Sequence, residues 1–200
     1  MWDERYSIAE YLYGTEPNDF LVAQAGSLQG PVLSIGEGEG RNAVYLASRG
    51  LDVLGVDGSA VGLAKARALA DARGVSIRTQ VADLADFDPE PGRYGAIISI
   101  FAHLPSPLRN RLYPRLERAL KPGGVLVLEA YTPAQLAYDT GGPKDEDMLM
   151  NAAKLAREFP DLEPLVLVEL ERDVLEGNFH FGRSAVVQFA GRKRAQEASP

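Results

Sequence analysis

An α/β fold on a mostly parallel sheet is what this 200-residue chain predicts, and three observations carry the expectation. Strand-length apolar runs alternate with helix-period segments over about the first 130 residues, the pattern of consecutive βαβ units. The run Val32-Leu33-Ser34-Ile35 stops on glycines at 36, 38 and 40 and passes straight into a helical pattern. Near the end, two further strand-like runs flank Glu176-Gly177-Asn178, a composition suited to an antiparallel hairpin.

Taken in order, residues 32–35 read as the first strand and 41–49 as a helix stopped by Gly50. Residues 52–56 form the second strand, and Ser59 caps a helix over 59–73 that ends at Gly74. Strands three and four fall at 75–82 and 94–100. A helix over 106–120 carries Leu108, Leu112, Leu116 and Leu120, with Pro114 expected to start a new turn or kink it. The fifth strand is 124–130. Met148, Leu149, Ala152, Leu155, Ala156 and Phe159 give residues 145–159 the spacing of an amphipathic helix. The hairpin runs, 164–175 and 183–190, bring the sheet to seven strands. One domain over 1–194 is expected, with an N-terminal cap segment of about 1–30 and a disordered tail at 195–200 that has nothing apolar to bury.

Composition narrows the partners. With 21 basic against 28 acidic residues the formal charge is −7, which disfavours a phosphate backbone as ligand. No cysteine occurs, removing disulfides, thiolate metal sites and cysteine nucleophiles, and no metal-ligand spacing is present. No apolar run is long enough to span a membrane, and Met1-Trp2-Asp3-Glu4-Arg5 is not a secretory start. The expectations are a cytoplasmic protein, monomer or weak homodimer, acting on a small molecule, with neither nucleic acid nor membrane as partner.

The glycine turn is where chemistry enters. Glycine admits positive φ and has no Cβ, so main-chain N–H groups and a helix start approach a nucleotide-like ligand closely. The spacing does not fit the dinucleotide fingerprint, which would require a small residue at Arg41. Asp57 closes the second apolar run about twenty residues on, the place of a carboxylate that accepts both hydroxyls of a ribose. Asp83 closes the third.

In order and spacing, the glycine turn, Asp57, Asp83, the strand 94–100 and Leu120-Lys121-Pro122-Gly123-Gly124 resemble the successive motifs of class I S-adenosylmethionine-dependent methyltransferases. The opening, Trp2 to Tyr6 and Tyr11 to Leu21, resembles their small bacterial tellurite-resistance and thiopurine-type branch. The resemblance implies a Rossmann-like seven-stranded sheet, helices on both faces, and S-adenosylmethionine as cofactor without a metal. It also implies a cofactor site at Gly36, Glu37, Gly38, Gly40, Arg41, Asn42, Asp57, Gly58, Ser59, Asp83, Leu84, Ile100 and Tyr13. Asp83 would lie by the adenine amino group, and the aromatic N-terminal segment would fold over the pocket. Two departures stand out: Ser34 replaces the usual acid that helps hold the cofactor's ammonium, with Glu37 as substitute, and Gly95 replaces a frequent aspartate.

His103, just past the fourth strand, is the candidate base or substrate contact; His180 belongs to the hairpin. The loop from Tyr131 to Pro143, with paired glycines, is the candidate lid. The function implied is in-line methyl transfer to a small acceptor. A non-catalytic S-adenosylmethionine-binding module and a nucleotide-dependent oxidoreductase remain as alternatives.

Overall fold

The structure, a computed structural model, describes residues 2–138, 140–177 and 180–195, with no side-chain description at His180. Asn178 of the expected hairpin turn and all but residue 195 of the expected tail lie outside the described residues. Seven strands form one sheet: β1 (Val32–Ile35), β2 (Val53–Asp57), β3 (Arg78–Val81), β4 (Tyr94–Ile100), β5 (Leu120–Tyr131), β6 (Leu162–Glu176) and β7 (His180–Lys193). Their order is β3-β2-β1-β4-β5-β7-β6. The first five are parallel, and β7 runs antiparallel to both β5 and β6.

The near-continuous apolar character of β1 and β4 follows from burial on both faces, since every residue of the two strands is buried. Side chains alternate between two cores. Leu33, Ile97, Leu126 and Phe189 face one layer, built on α5 (Ser106–Ala119) and α6 (Ala152–Glu158) through Leu112, Leu116 and Leu155. Val32, Ile98, Val127 and Ala190 face the other, where Phe20 and Leu21 of α2 (Asp19–Gln24) meet Leu46 of α3 (Arg41–Ser48). A further helix, α4 (Ala60–Ala72), starts at Ser59, whose hydroxyl accepts the Gly62 N–H at 3.0 Å. The N-terminal α1 (Trp2–Tyr6) lies against α4, tied by Asp3, which accepts the Ser59 hydroxyl and the Val61 N–H.

Several boundaries move for identifiable reasons. β3 begins only at Arg78, because Val75 and Ile77 turn away to pack on Val44, Leu69 and Ala70. β5 begins four residues early, at Leu120 beside Tyr94, with an irregularity before Ala96 pairs with Val125. α5 runs through Pro114 as a single helix. The expected helix over 145–159 is shorter: Asp145 caps a 3-10 turn and Asn151 caps α6, so two polar caps interrupt the periodic pattern. β7 continues to Lys193, whose ammonium donates to the carbonyls of Glu117, Arg118 and Leu120.

β1 leads on to β2 on one side and lies beside β4 on the other. This reversal of strand order opens a crevice at the carboxyl ends of the strands, where ligands bind in such sheets.

Candidate active site

A cavity of about 1290 Å³ occupies that crevice. Ligand pockets usually run to ~300–1,000 Å³, so there is room for two molecules side by side. Its wall contains Tyr13, Gly36, Glu37, Gly38, Arg41, Asn42, Asp57, Gly58, Asp83, Leu84, Ile100 and His103 from the sequence-derived set. Gly40 and Ser59 stand behind it. Gly40 is the N-cap of α3, and Ser59 caps α4. Ser59 serves the wall indirectly, through a main-chain N–H that Asp57 accepts.

Asp57 is the best-held acid of the site. One carboxylate oxygen accepts the Gly38 N–H and the other the Ser59 N–H, both at 2.8 Å. Burial pushes its pKa up, while these N–H groups pull it back. Each oxygen keeps acceptor capacity toward the cavity. Gly38 explains why the turn lacks side chains: at φ +59°, a Cβ there would sit 2.7 Å from the Tyr6 hydroxyl. The missing side chain leaves room for Tyr6 to pack on the turn. Asp83 is exposed at the rim, and its carboxylate accepts the Ala85 N–H at 2.8 Å.

Glu37 substitutes for a missing cap. Gly40 has no side chain to satisfy the first turn of α3, and Glu37 instead accepts the Ala43 N–H at 3.0 Å. Its second oxygen is buried without a hydrogen-bond partner among the described residues. Burial pushes its pKa up to about 7, against the opposing pull of the Ser34 hydroxyl and the Ala43 N–H. Ser34, where the resemblance expects an acid, thus interacts with the neighbouring carboxylate of Glu37. A raised folded pKa adds stability that is complete below the unfolded value of 4.5 and is lost as pH climbs through about 7. Relative to wild type, Glu37→Gln should gain about 3 kcal/mol between pH 4.5 and pH 8 in denaturant titrations. An equal difference at both pH values would contradict this account.

The fourth strand ends in a stack. Phe101 lies 4.6 Å from Tyr131 and His103 5.3 Å from Tyr131, centroid to centroid. Phe101 has φ +52°, a strained conformation for a bulky side chain that the packing around it must hold. His103 does not present a free base. Its Nε2 accepts the Tyr131 N–H at 3.1 Å, which leaves the proton on Nδ1. Burial of the ring lowers its pKa to about 4, with the Phe101 carbonyl opposing. The ring edge still borders the cavity.

The candidate lid is half fixed. Gln135 is buried, accepts the Ala185 N–H and donates to Thr140 and Gly141, while Gly141, Gly142, Pro143 and Lys144 reach the cavity wall. The N-terminal segment is held over the glycine turn by Glu39, which accepts the Leu12 N–H at 2.8 Å and pairs with Lys65 at 2.5 Å. Gly95 has a packing reason: a Cβ there would lie 2.4 Å from the Gln29 carbonyl oxygen.

Sequence reading missed a buried ionic network beside Arg41. Glu129 is fully buried and accepts from Arg172, Gln188 and Asn18. Glu176 accepts from Asn18 at 2.7 Å and from Arg172 at 3.1 Å, and pairs with Arg41 at 2.5 Å. No local signal could reveal it, because its members are scattered from Asn18 to Gln188.

A family model described as a methyltransferase domain matches residues 32–124, from β1 into β5. Just under half of the chain is thus similar to a methyltransferase domain. A relative of this domain, the 2-heptyl-1-hydroxyquinolin-4(1H)-one methyltransferase of Mycobacteroides abscessus, is 31% identical over 131 residues, 64% of this chain. The match spans 58% of that enzyme's length. Among solved structures, the domain is similar to a protein from work on the conversion of a disulfide bond into a thioacetal group during echinomycin biosynthesis. The TM-score is 0.77 at 23% identity, covering 98% of this chain and 92% of the other. TehB from Haemophilus influenzae superposes with a TM-score of 0.72 at 18% identity, covering 96% of this chain and 66% of TehB. These likenesses show that the fold is shared with both. Among the described residues no helix is long and apolar enough to cross a membrane.

Proposed function

We propose that this protein is an S-adenosylmethionine-dependent methyltransferase acting on a small, flat aromatic acceptor whose accepting atom is already ionised at neutral pH. The observation that carries the acceptor class is the engagement of His103, whose Nε2 is taken up by the Tyr131 N–H. The cofactor reading rests on the glycine turn that borders the cavity at the strand ends and on the doubly held carboxylate of Asp57. Bound S-adenosylmethionine would supply an activated methyl group on a sulfonium.

Asp57 would accept from the ribose, Asp83 and Leu84 would border the base, and Gly36 to Arg41 would follow the amino-acid arm. The remaining wall, with Trp2, Tyr13, Phe101, Leu104, Leu108 and Met148, offers apolar and aromatic faces for an acceptor. These side chains would orient the acceptor and exclude water, and such positioning supplies up to ~7–11 kcal/mol of a bimolecular barrier. A weakly acidic alcohol or a protonated amine would need a base that His103 does not provide. A hydroxyl or thiol acidic enough to be ionised near neutral pH, as on an electron-poor heteroaromatic ring, loses its proton to solvent beforehand, and the name of the M. abscessus relative carries a hydroxyl on a heteroaromatic ring.

The test is methyl transfer across a panel of N-hydroxy heteroaromatics, thiols, phenols and aliphatic amines, read by mass spectrometry. Turnover should concentrate on acidic hydroxyls and acidic thiols, and its pH dependence should follow the acceptor's own ionisation. His103→Asn should retain activity within about tenfold, whereas removing a true general base costs ~10²–10⁴-fold. A loss in that larger range would restore His103 as the base. Cofactor binding with no turnover on any acceptor would instead describe a binding module.

A further inference from the structure

We propose that Lys144 reads the negative charge of the methyl acceptor, and that the loop after β5 is anchored on both sides to present it. The inference rests on the acceptor class proposed above and names the group that selects it.

The charges of the cavity wall are unevenly placed. Its carboxylates, Asp3, Glu4, Glu37, Glu39, Asp57 and Asp83, come from α1, from the turn after β1 and from the carboxyl ends of β2 and β3. Two of its cations are engaged there too: Arg5 lies over the Trp2 ring, and Arg41 pairs with Glu176. The half of the wall beyond β4 is built by Ile100 to Leu104, by Leu108 and Met148, and by Gly141 to Lys144. Among the described residues of that half, Lys144 carries the only formal charge, since burial keeps His103 neutral and the Tyr131 N–H takes up its Nε2. An ionised hydroxyl or thiol entering here gives up water against apolar and aromatic side chains, a costly transfer unless a cation accompanies it. Lys144 is exposed at the rim, where an anion meets it before losing its own water, and a flexible four-carbon stem lets the ammonium follow it inward.

The backbone that carries Lys144 is held from both directions. Upstream, buried Gln135 donates to the Thr140 hydroxyl at 3.0 Å and to the Gly141 carbonyl at 3.1 Å, and Thr140 donates to the Arg183 carbonyl of β7 at 2.7 Å. Gly142 passes so close to Tyr131 that a Cβ there would lie 2.7 Å from the ring. Downstream, the Asp147 carboxylate accepts the Ser106 N–H at 2.6 Å, and the Asp147 carbonyl accepts from Arg109 at 2.7 Å. Arg109 is 2% exposed, donates also to the Leu104 carbonyl and pairs with Glu158 at 2.9 Å, so it ties the lysine loop to the segment after β4. The carboxylates that follow Lys144 are turned to main-chain donors, Asp145 to the Asp147 N–H and Asp147 to the Ser106 N–H. A backbone fixed in this way limits the freedom lost on binding an anion to that of the lysine side chain.

Steady-state kinetics with 4-nitrothiophenol, a flat aromatic thiol that is an anion at neutral pH, test the assignment, with its uncharged methylation product 4-nitrothioanisole as the control ligand. In Lys144→Met the KM for the thiol should rise about tenfold, the lower end for a hydrogen bond to a charged group, while kcat changes little. Inhibition by 4-nitrothioanisole, which has no charge to read, should be unaltered, as should the affinity for S-adenosylhomocysteine in calorimetry. Lys144→Arg should restore the KM, and Lys144→Glu should raise it about 100-fold, since attraction turns to repulsion. An unmoved KM in Lys144→Met, or equal weakening of thiol and product, would overturn the role of Lys144. Wild type that binds S-adenosylhomocysteine yet leaves 4-nitrothiophenol unmethylated would overturn the proposed acceptor class, and this assignment with it. Wild type that does not bind S-adenosylhomocysteine would remove the cofactor reading on which both stand.

Discussion

Asp57→Ala should lower the affinity for S-adenosylmethionine by at least about 100-fold, because two hydroxyl contacts to a charged acceptor contribute ~1.5–3 kcal/mol each. The substitution acts twice. It removes the carboxylate proposed to accept from the ribose, and it frees the Gly38 and Ser59 N–H groups that the carboxylate holds at 2.8 Å. Asp57→Asn separates the two effects: the amide keeps the shape, but its NH₂ must face one of two main-chain donors. Both variants should therefore bind weakly, with the asparagine form losing part of the turn's order as well. Titration calorimetry against wild type decides the matter, and unchanged affinity in Asp57→Ala would show that the nucleoside lies elsewhere.

Arg172→Met should destabilise the fold by about 3–5 kcal/mol, the range for removing one partner from a buried ionic group. Glu129 is 0% exposed and takes two donors from Arg172, at 2.9 and 2.7 Å. Burial works against the guanidinium's charge, but Glu129 and Glu176 hold its pKa above the ordinary value. Without it, two buried carboxylates share Asn18, Gln188 and Arg41 alone. Adding Glu129→Gln to Arg172→Met should recover most of the loss in urea or guanidinium titrations. A cost below about 1 kcal/mol for the single variant would mean that the network carries little of the stability.

The fold was legible where strands end on chemically marked residues. β1, β2 and β4 announced themselves because an apolar run buried on both faces meets a glycine turn, an aspartate or a loop aromatic at its carboxyl end. Segments governed by tertiary packing were less readable. Val75 and Ile77 look like strand residues, yet α3 and α4 claim their side chains. Met148 and Leu149 match a helical period, but capping by Asp145 and Asn151 breaks the helix between them and Ala152.

The site divides in the same way. Asp57 and the glycines could be placed from spacing alone, since two consecutive strand–turn–helix units fix them relative to the sheet. His103 could be located but not interpreted, because its partner is the Tyr131 N–H on a neighbouring strand. Phe101 gave no warning of its left-handed backbone, as nothing in the sequence around it marks such a conformation.

The placement of β7 between β5 and β6 has a consequence for biosynthesis. As the chain leaves the ribosome, β6 emerges with no strand to join, since the one that connects it to the sheet comes after it. Until then the flank of β5 from Val125 to Tyr131 stays open, and Glu129 waits for Arg172 to be carried in. A nascent chain stalled before β7 would thus present that unpaired flank of β5, the kind of exposed strand edge that makes a chain a client for chaperones.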